Sequence, residues 1–237
     1  MCVVALALNV HPLWRIVLAG NRDEYHDRPS APLSRWDGAD QHIIAGRDLQ
    51  SGGTWLGVSE EGRIAVVTNI RTGQLPDPGK RSRGALIANF LRGQYSFGDL
   101  DSFNPFSLFA IDVHSARFAA NRPAPLVETL ADGIHSLSNG LADEPWPRRE
   151  WLHAALGRWL ASENAQPEAL FDLLADETAL SEDRNHAPIF IRNAAYGTRC
   201  STVVAIDQGG TGTIIERRFG PSGVVDGESR MVLNLQF

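Results

Sequence analysis

Two short apolar runs open the chain, CVVALALNV from residue 2 and RIVLAG from residue 15, with His11-Pro12 between them. Runs this short, rich in Val and bounded by turn residues, fit strands better than helices. A proline cannot donate to a sheet ladder, so His11-Pro12 stops a central strand and predicts a hairpin. The same grammar recurs downstream. HIIAG reads as another strand, and TWLGVSE and RIAVVTNI, joined around Glu60-Glu61-Gly62, predict a second hairpin. PFSLFAIDV, RFAANR, GIHSLSNG, RCSTVVAID, GTIIERRF and RMVLNLQF continue the series.

Helical spacing interrupts it three times. SRGALIANFLRG groups Leu86, Ile87, Phe90 and Leu91 on one face, with Ser82 as N-cap and Gly93 as stop. EPWPRREWLHAALGRWLASEN carries an apolar stripe of Trp151, Leu152, Ala155, Leu156, Trp159 and Leu160. QPEALFDLLAD predicts a further helix. Many hairpin-linked strands with few helices define an α+β chain, helices covering antiparallel sheets. Two sheets face to face between helix layers, or one covered sheet, both satisfy the pattern.

At 237 residues, with no repeat, low-complexity tract or clear linker, the chain is expected to form a single domain over 1–237. A net charge of −6 argues against nucleic acid as partner, because phosphate binding needs a basic surface. Two cysteines cannot build a disulfide framework and point to a reducing compartment. No run reaches the roughly 18–20 apolar residues of a membrane helix, and the opening run lacks the basic lead of a signal peptide. The expectation is a cytoplasmic protein without an integral membrane segment.

Cys2 stands directly behind the initiator methionine. Loss of Met1 would place a free amine, ordinarily of pKa about 7.7–8.0, on the carbon that carries the thiol. Such an amine can act as base for its own nucleophile. AGNRDEYHDRP follows at 19–29, with Gly20 closing a strand and Asn21, Arg22, Asp23 and Glu24 at its end. The hairpin register brings this segment to Cys2. A carboxylate at Asp23 could hold the ammonium there, and Arg22 could favour the thiolate.

GRDLQSGGTWLG at 46–57 lacks the Gly-Lys-Ser/Thr ending of a phosphate loop and leads into a strand, so its glycines are assigned to tight turns and close backbone approach. Asn69 and Asn139 stand at strand ends, where a side-chain amide can donate to a developing oxyanion or simply form a turn. The seven histidines show no metal-ligand spacing, so no metal site is expected. His186 is a loop histidine that could partner a thiol. Cys200 reads as a buried strand residue.

Taken in order, MC, AGNRDE with RP, GRDLQSGGTWLG, VTNIR, SRG, SLSNG and YGTRCSTVV resemble the NRDE family, that of the transport and Golgi organization protein 2 homologues, from residue 1 to about residue 205. That family resembles the cysteine branch of the N-terminal nucleophile hydrolases. The resemblance implies a four-layer α-β-β-α sandwich of two mainly antiparallel sheets. It also implies Cys2 as nucleophile and Asp23 as the carboxylate holding the α-amine. Asn69 and Asn139 match the oxyanion or substrate-orienting amides, and Arg199 the late arginine. Asn21, Arg22 and Arg71 become candidates for substrate binding; the arginine often found between the Gly and Asn of this motif is displaced here to Arg22. Two functions follow from the resemblance: an amidohydrolase or acyltransferase acting on an amide or thioester and needing no cofactor, or a non-enzymatic carrier for haem or an acyl lipid.

Overall fold

The computed structural model describes residues 2–94, 97–162, 165–180 and 187–235. His186 lies outside them. Along the chain run β1 (Cys2–Leu8), β2 (Trp14–Tyr25), β3 (Ser30–Arg35), β4 (Ile43–Asp48), β5 (Leu56–Ser59) and β6 (Arg63–Asn69). The helix α1 (Arg83–Leu91) follows, then β7 (Phe106–Ile111), β8 (Ala116–Ala120), β9 (Leu126–Thr129) and β10 (Gly133–Leu137). Next come α2 (Pro147–Leu160) and α3 (Leu170–Leu174), and β11 (Tyr196–Asp207), β12 (Thr211–Phe219) and β13 (Val225–Asn234) complete the order. These elements divide into two compact units interleaved in sequence, one holding residues 1–27, 132–138 and 143–233 and the other chiefly residues 28–131.

The first unit is a six-stranded sheet in the order β10-β1-β2-β11-β12-β13. The hairpin expected around His11-Pro12 is present, with Cys2 opposite Arg22 and Leu8 opposite Ile16. Alternation along β1 and β2 sends Val3, Ala5, Ala7, Val17 and Ala19 to one face, with Val203 and Ile215 from β11 and β12. Leu152, Leu156 and Trp159 of α2 and Leu170, Phe171 and Leu174 of α3 pack on that face. Burial of each large side chain there contributes about 2 kcal/mol. Pro147 begins α2 at a position where its missing N–H costs nothing.

The second unit is a seven-stranded meander in chain order, β3 to β9. Ile43, Ala45, Ala65, Val67, Leu108 and Ala110 line the face covered by Leu86, Ile87, Phe90 and Leu91 of α1. Gly93, at φ +72°, ends that helix as expected. Ser82 occupies the N-cap with extended backbone, but its side chain makes no capping bond.

Two expectations are corrected. Gly20 does not close a strand: β2 runs on to Tyr25, so Asn21, Arg22, Asp23 and Glu24 lie inside it, paired with β11. Polar residues are sustained in a central strand there because buried groups satisfy them. QPEALFDLLAD is a 3-10 turn at Pro167–Ala169 leading into the short α3, not one continuous helix. β3 and β9 were not evident in the sequence; both are edge strands, where Pro32 is tolerated and where β9 leaves all four residues exposed. The α+β class and the two antiparallel sheets stand.

Candidate active site

Cys2 is the first residue of β1 and is half-buried. β2 lies between β1 and β11, so Arg22 is the register partner of Cys2 on one side and of Cys200 on the other. Directly opposed residues in antiparallel strands share a face, which aligns the two thiols either side of one guanidinium-bearing residue. Ser138, just past β10, donates from Oγ to the carbonyl oxygen of Cys2 at 3.0 Å and fixes the strand's first residue. The thiols differ in setting. Burial, aided by the Glu216 carboxylate, pushes the Cys200 thiol well up, against the opposing pull of Arg22.

Asp23 is the next residue along β2, and alternation turns it to the helix face of the sheet. Its carboxylate is fully buried. Thr198 Oγ1 donates to Oδ1 at 2.7 Å, and Arg148 Nη1 of α2 lies 2.8 Å from Oδ2 with its own side chain 2% exposed. The Tyr196 hydroxyl donates to the Asp23 carbonyl oxygen at 3.0 Å, and burial together with the charges of Asp23 and Cys2 keeps that phenol protonated far above its usual range. Arg148 also donates from Nη2 to the Ile189 carbonyl at 2.6 Å.

Asn21 points to the same face as Asp23. Its Nδ2 donates to the carbonyls of Leu174 and Ile189 at 2.8 and 3.0 Å, while its Oδ1 accepts from Ser201 Oγ at 2.6 Å. The amide therefore ties the segment after α3 to the sheet. Arg199 sits at a bulge of β11 between Thr198 and Cys200. Its Nη1 donates to the Tyr25 carbonyl at 2.8 Å, and burial plus the neighbouring Arg22 charge lowers its guanidinium below the ordinary value. Cys2, Asn21, Arg22, Asp23 and Arg199 are thus gathered in the first unit.

Asn69, Asn139 and Arg71 are gathered in the second. Asn69 ends β6, and the fully buried Asn139 donates from Nδ2 to the Asn69 main-chain oxygen at 2.9 Å and to its Oδ1 at 3.0 Å. A main-chain oxygen can only accept, which fixes the Asn139 nitrogen on that side and in turn the Asn69 oxygen facing it. Arg71 is exposed, and its backbone N–H donates to the Asn139 carbonyl at 2.8 Å. Among the described residues no group of three His, Cys, Asp or Glu side chains could hold a metal ion, and no helix is long and apolar enough to cross a membrane.

Arg148, Thr198, Tyr196 and Ser138 were not singled out in the sequence. Arg148 did leave a signal: it precedes Leu152, Leu156 and Trp159 by four, eight and eleven positions, and so stands on the apolar stripe of α2.

The fold, two antiparallel sheets with a few covering helices, is of the N-terminal nucleophile hydrolase type. Two solved structures show it. A Caenorhabditis elegans ortholog of N-acylethanolamine-hydrolyzing acid amidase superposes with a TM-score of 0.56 at 14% identity, over 85% of this chain and 92% of that one. A variant of the conjugated bile acid hydrolase of Clostridium perfringens gives 0.54 at 8% identity, over 98% and 92%.

The chain belongs to the Transport and Golgi organisation 2 family, whose model matches residues 1–221. It is 30% identical over 262 residues to the human Transport and Golgi organization protein 2 homolog, with 92% of each chain covered. The Drosophila melanogaster Transport and Golgi organization protein 2 is 23% identical over 252 residues, with 87% of this chain and 88% of that one covered.

Proposed function

We propose that this chain is a cysteine amidohydrolase or acyltransferase whose nucleophile is Cys2, acting on a non-peptide amide or a thioester. The observation that carries this reading is the contrast along one sheet row: the half-buried Cys2 at the head of β1 stands opposite Arg22, while the second cysteine in the row is buried and its thiol pushed up. Two fold neighbours that bear the names of an amidase and a hydrolase support it.

In this mechanism Met1 is removed and the Cys2 amine becomes the base. As the sulfur bonds to the substrate carbonyl carbon, the thiol proton passes to the amine and the C=O electron pair moves onto oxygen. Collapse of the tetrahedral adduct breaks the C–N or C–S bond, and the ammonium returns its proton to the leaving group. Water or an amine then attacks the acyl-enzyme, again losing a proton to the Cys2 amine, and regenerates the thiol.

The test starts with natively expressed protein, alkylated briefly near pH 6 and mapped by mass. An N-terminus at Cys2, alkylated far faster than Cys200, is expected. A panel of N-acyl amides and acyl thioesters then yields turnover that Cys2→Ala abolishes while the urea unfolding midpoint stays in place. Turnover that survives Cys2→Ala refutes the assignment. A sluggish Cys2 with no turnover, together with a Soret shift on haem addition or saturable acyl-lipid binding, replaces it with the carrier reading.

A further inference from the structure

Among the described residues, four strands stand at sheet edges, β10 and β13 in one sheet and β3 and β9 in the other. An open edge is a row of unpaired backbone N–H and C=O groups that a further strand can join, and chains ordinarily blunt it by shortness, proline, lysine or irregular pairing. β3 contains Pro32 and shifts register against β4. β9 is four residues long and β10 five. β13 is different: its ten residues, VDGESRMVLN, include neither proline nor lysine. Val224, Val225 and Val232, on it or directly before it, are exposed. Gly227, at φ +146°, departs from ordinary strand geometry, so the regular edge begins at Glu228.

We propose that the outer edge of β13 docks a second copy of this chain, the two strands running antiparallel about a two-fold axis at Ser229. The charge pattern selects both the partner and the register. Glu228 and Arg230 lie two positions apart and so share a face of the sheet. Each has an ion pair within the chain, Glu228 with Arg217 at 3.0 Å and Arg230 with Glu168, yet all four side chains remain 37–49% exposed. Opposed residues of an antiparallel ladder share a face, so a two-fold axis between identical strands passes through a residue. An axis at Glu228 or at Arg230 sets that charge against its own copy, which is destabilising. An axis at Ser229 sets Glu228 of each copy against Arg230 of the other, twice by symmetry. The ion pairs then join in series, Arg217 and Glu228 of one copy to Arg230 and Glu168 of the other, with the sign alternating along the row. A contact one strand wide is at the small end of specific interfaces, so the dimer is reversible and concentration-dependent. It requires nothing of Cys2.

Sedimentation velocity of the full chain, from low to high micromolar concentration, tests this directly, and a monomer–dimer equilibrium is expected. Glu228→Arg sets arginine against Arg230 of the second copy, and Arg230→Glu sets glutamate against Glu228. Each variant alone is therefore expected to dimerise about tenfold more weakly, since two symmetric pairs change from attraction to repulsion. Mixed in equal amounts, the two variants restore opposite charges at both positions, and a heterodimer of nearly the original affinity is expected. Both positions are exposed, and far-UV circular dichroism checks that the variants fold. A parent chain that stays monomeric at high micromolar concentration overturns the proposal without recourse to any variant. A dimer that Glu228→Arg or Arg230→Glu leaves intact overturns it as well, and so do mixed variants that fail to associate.

Discussion

Gly52 and Gly53 are adjacent glycines held for opposite reasons, and alanine substitution separates them. A Cβ on Gly53 would lie 2.3 Å from the Gly84 carbonyl carbon, 2.5 Å from its oxygen and 2.8 Å from the Ala85 nitrogen. All three are backbone atoms in the first turn of α1, so relief requires the helix start or the 52–54 loop to move by about an ångström. The Thr54 N–H donates to that same Gly84 oxygen at 3.3 Å and is lost with the movement. Overpacking together with one broken hydrogen bond gives Gly53→Ala a cost of about 3 kcal/mol. Gly52 has φ +73° and nothing within 4 Å of an added Cβ, so Gly52→Ala carries only the left-handed backbone penalty of about 1 kcal/mol. Urea unfolding of the two variants by far-UV circular dichroism and by tryptophan fluorescence measures both. Equal losses, or a Gly53→Ala loss below about 1 kcal/mol, would show that the loop and α1 are free to part and that close approach is not why this glycine is there.

Asp40 pairs with Arg92 through bonds of 2.8 and 2.6 Å, and the Arg92 hydrogen bond holds its carboxyl below the usual value. A carboxyl depressed in the folded state stabilises above its unfolded pKa, near 4, and that contribution is lost as pH falls through the folded pKa. Asp40→Asn should therefore cost about 1 kcal/mol at pH 7, a figure discounted because both side chains are about a quarter exposed. The two chains should converge as urea unfolding is repeated toward pH 3; a gap that persists there refutes the electrostatic account. Cys200, fully buried with its thiol pushed up, should react with iodoacetamide only at the rate of global unfolding. Mass-resolved labelling that follows the urea midpoint checks this, and rapid labelling in native buffer contradicts it.

The fold was legible in the sequence wherever one physical signal acted alone. His11-Pro12 between two Val-rich runs specified the first hairpin, and the stripe of Leu152, Ala155, Leu156 and Trp159 specified α2. Close backbone approach was the reason assigned to the glycines of GRDLQSGG, and Gly53 against Gly84 shows it. The reading weakened where a distant partner overrides local character. Asn21 to Glu24 look like a strand end because four polar residues usually seek water; here the Leu174 and Ile189 carbonyls, Thr198, Ser201 and Arg148 receive Asn21 and Asp23, and the strand continues. Arg148 itself sits among Arg149 and Glu150 and reads as part of a solvated face. Only its phase with Leu152 and Leu156 betrays it.

The partners of Asp23 and Asn21 carry a consequence for biosynthesis. Thr198 lies 175 residues after Asp23, Ser201 lies 180 after Asn21, and Ser138 lies 136 after Cys2. At a translation rate of about 5–20 residues per second, the opening hairpin waits on the order of ten seconds or more before β11 emerges to flank it. During that interval the nascent chain carries Asn21 and Asp23 without the strand, helix and hydroxyls that receive them. A chain that stops short of β11 lacks the hydroxyls that receive Asp23 and Asn21, so the polar end of β2 is completed only by residues made 175 and 180 positions later.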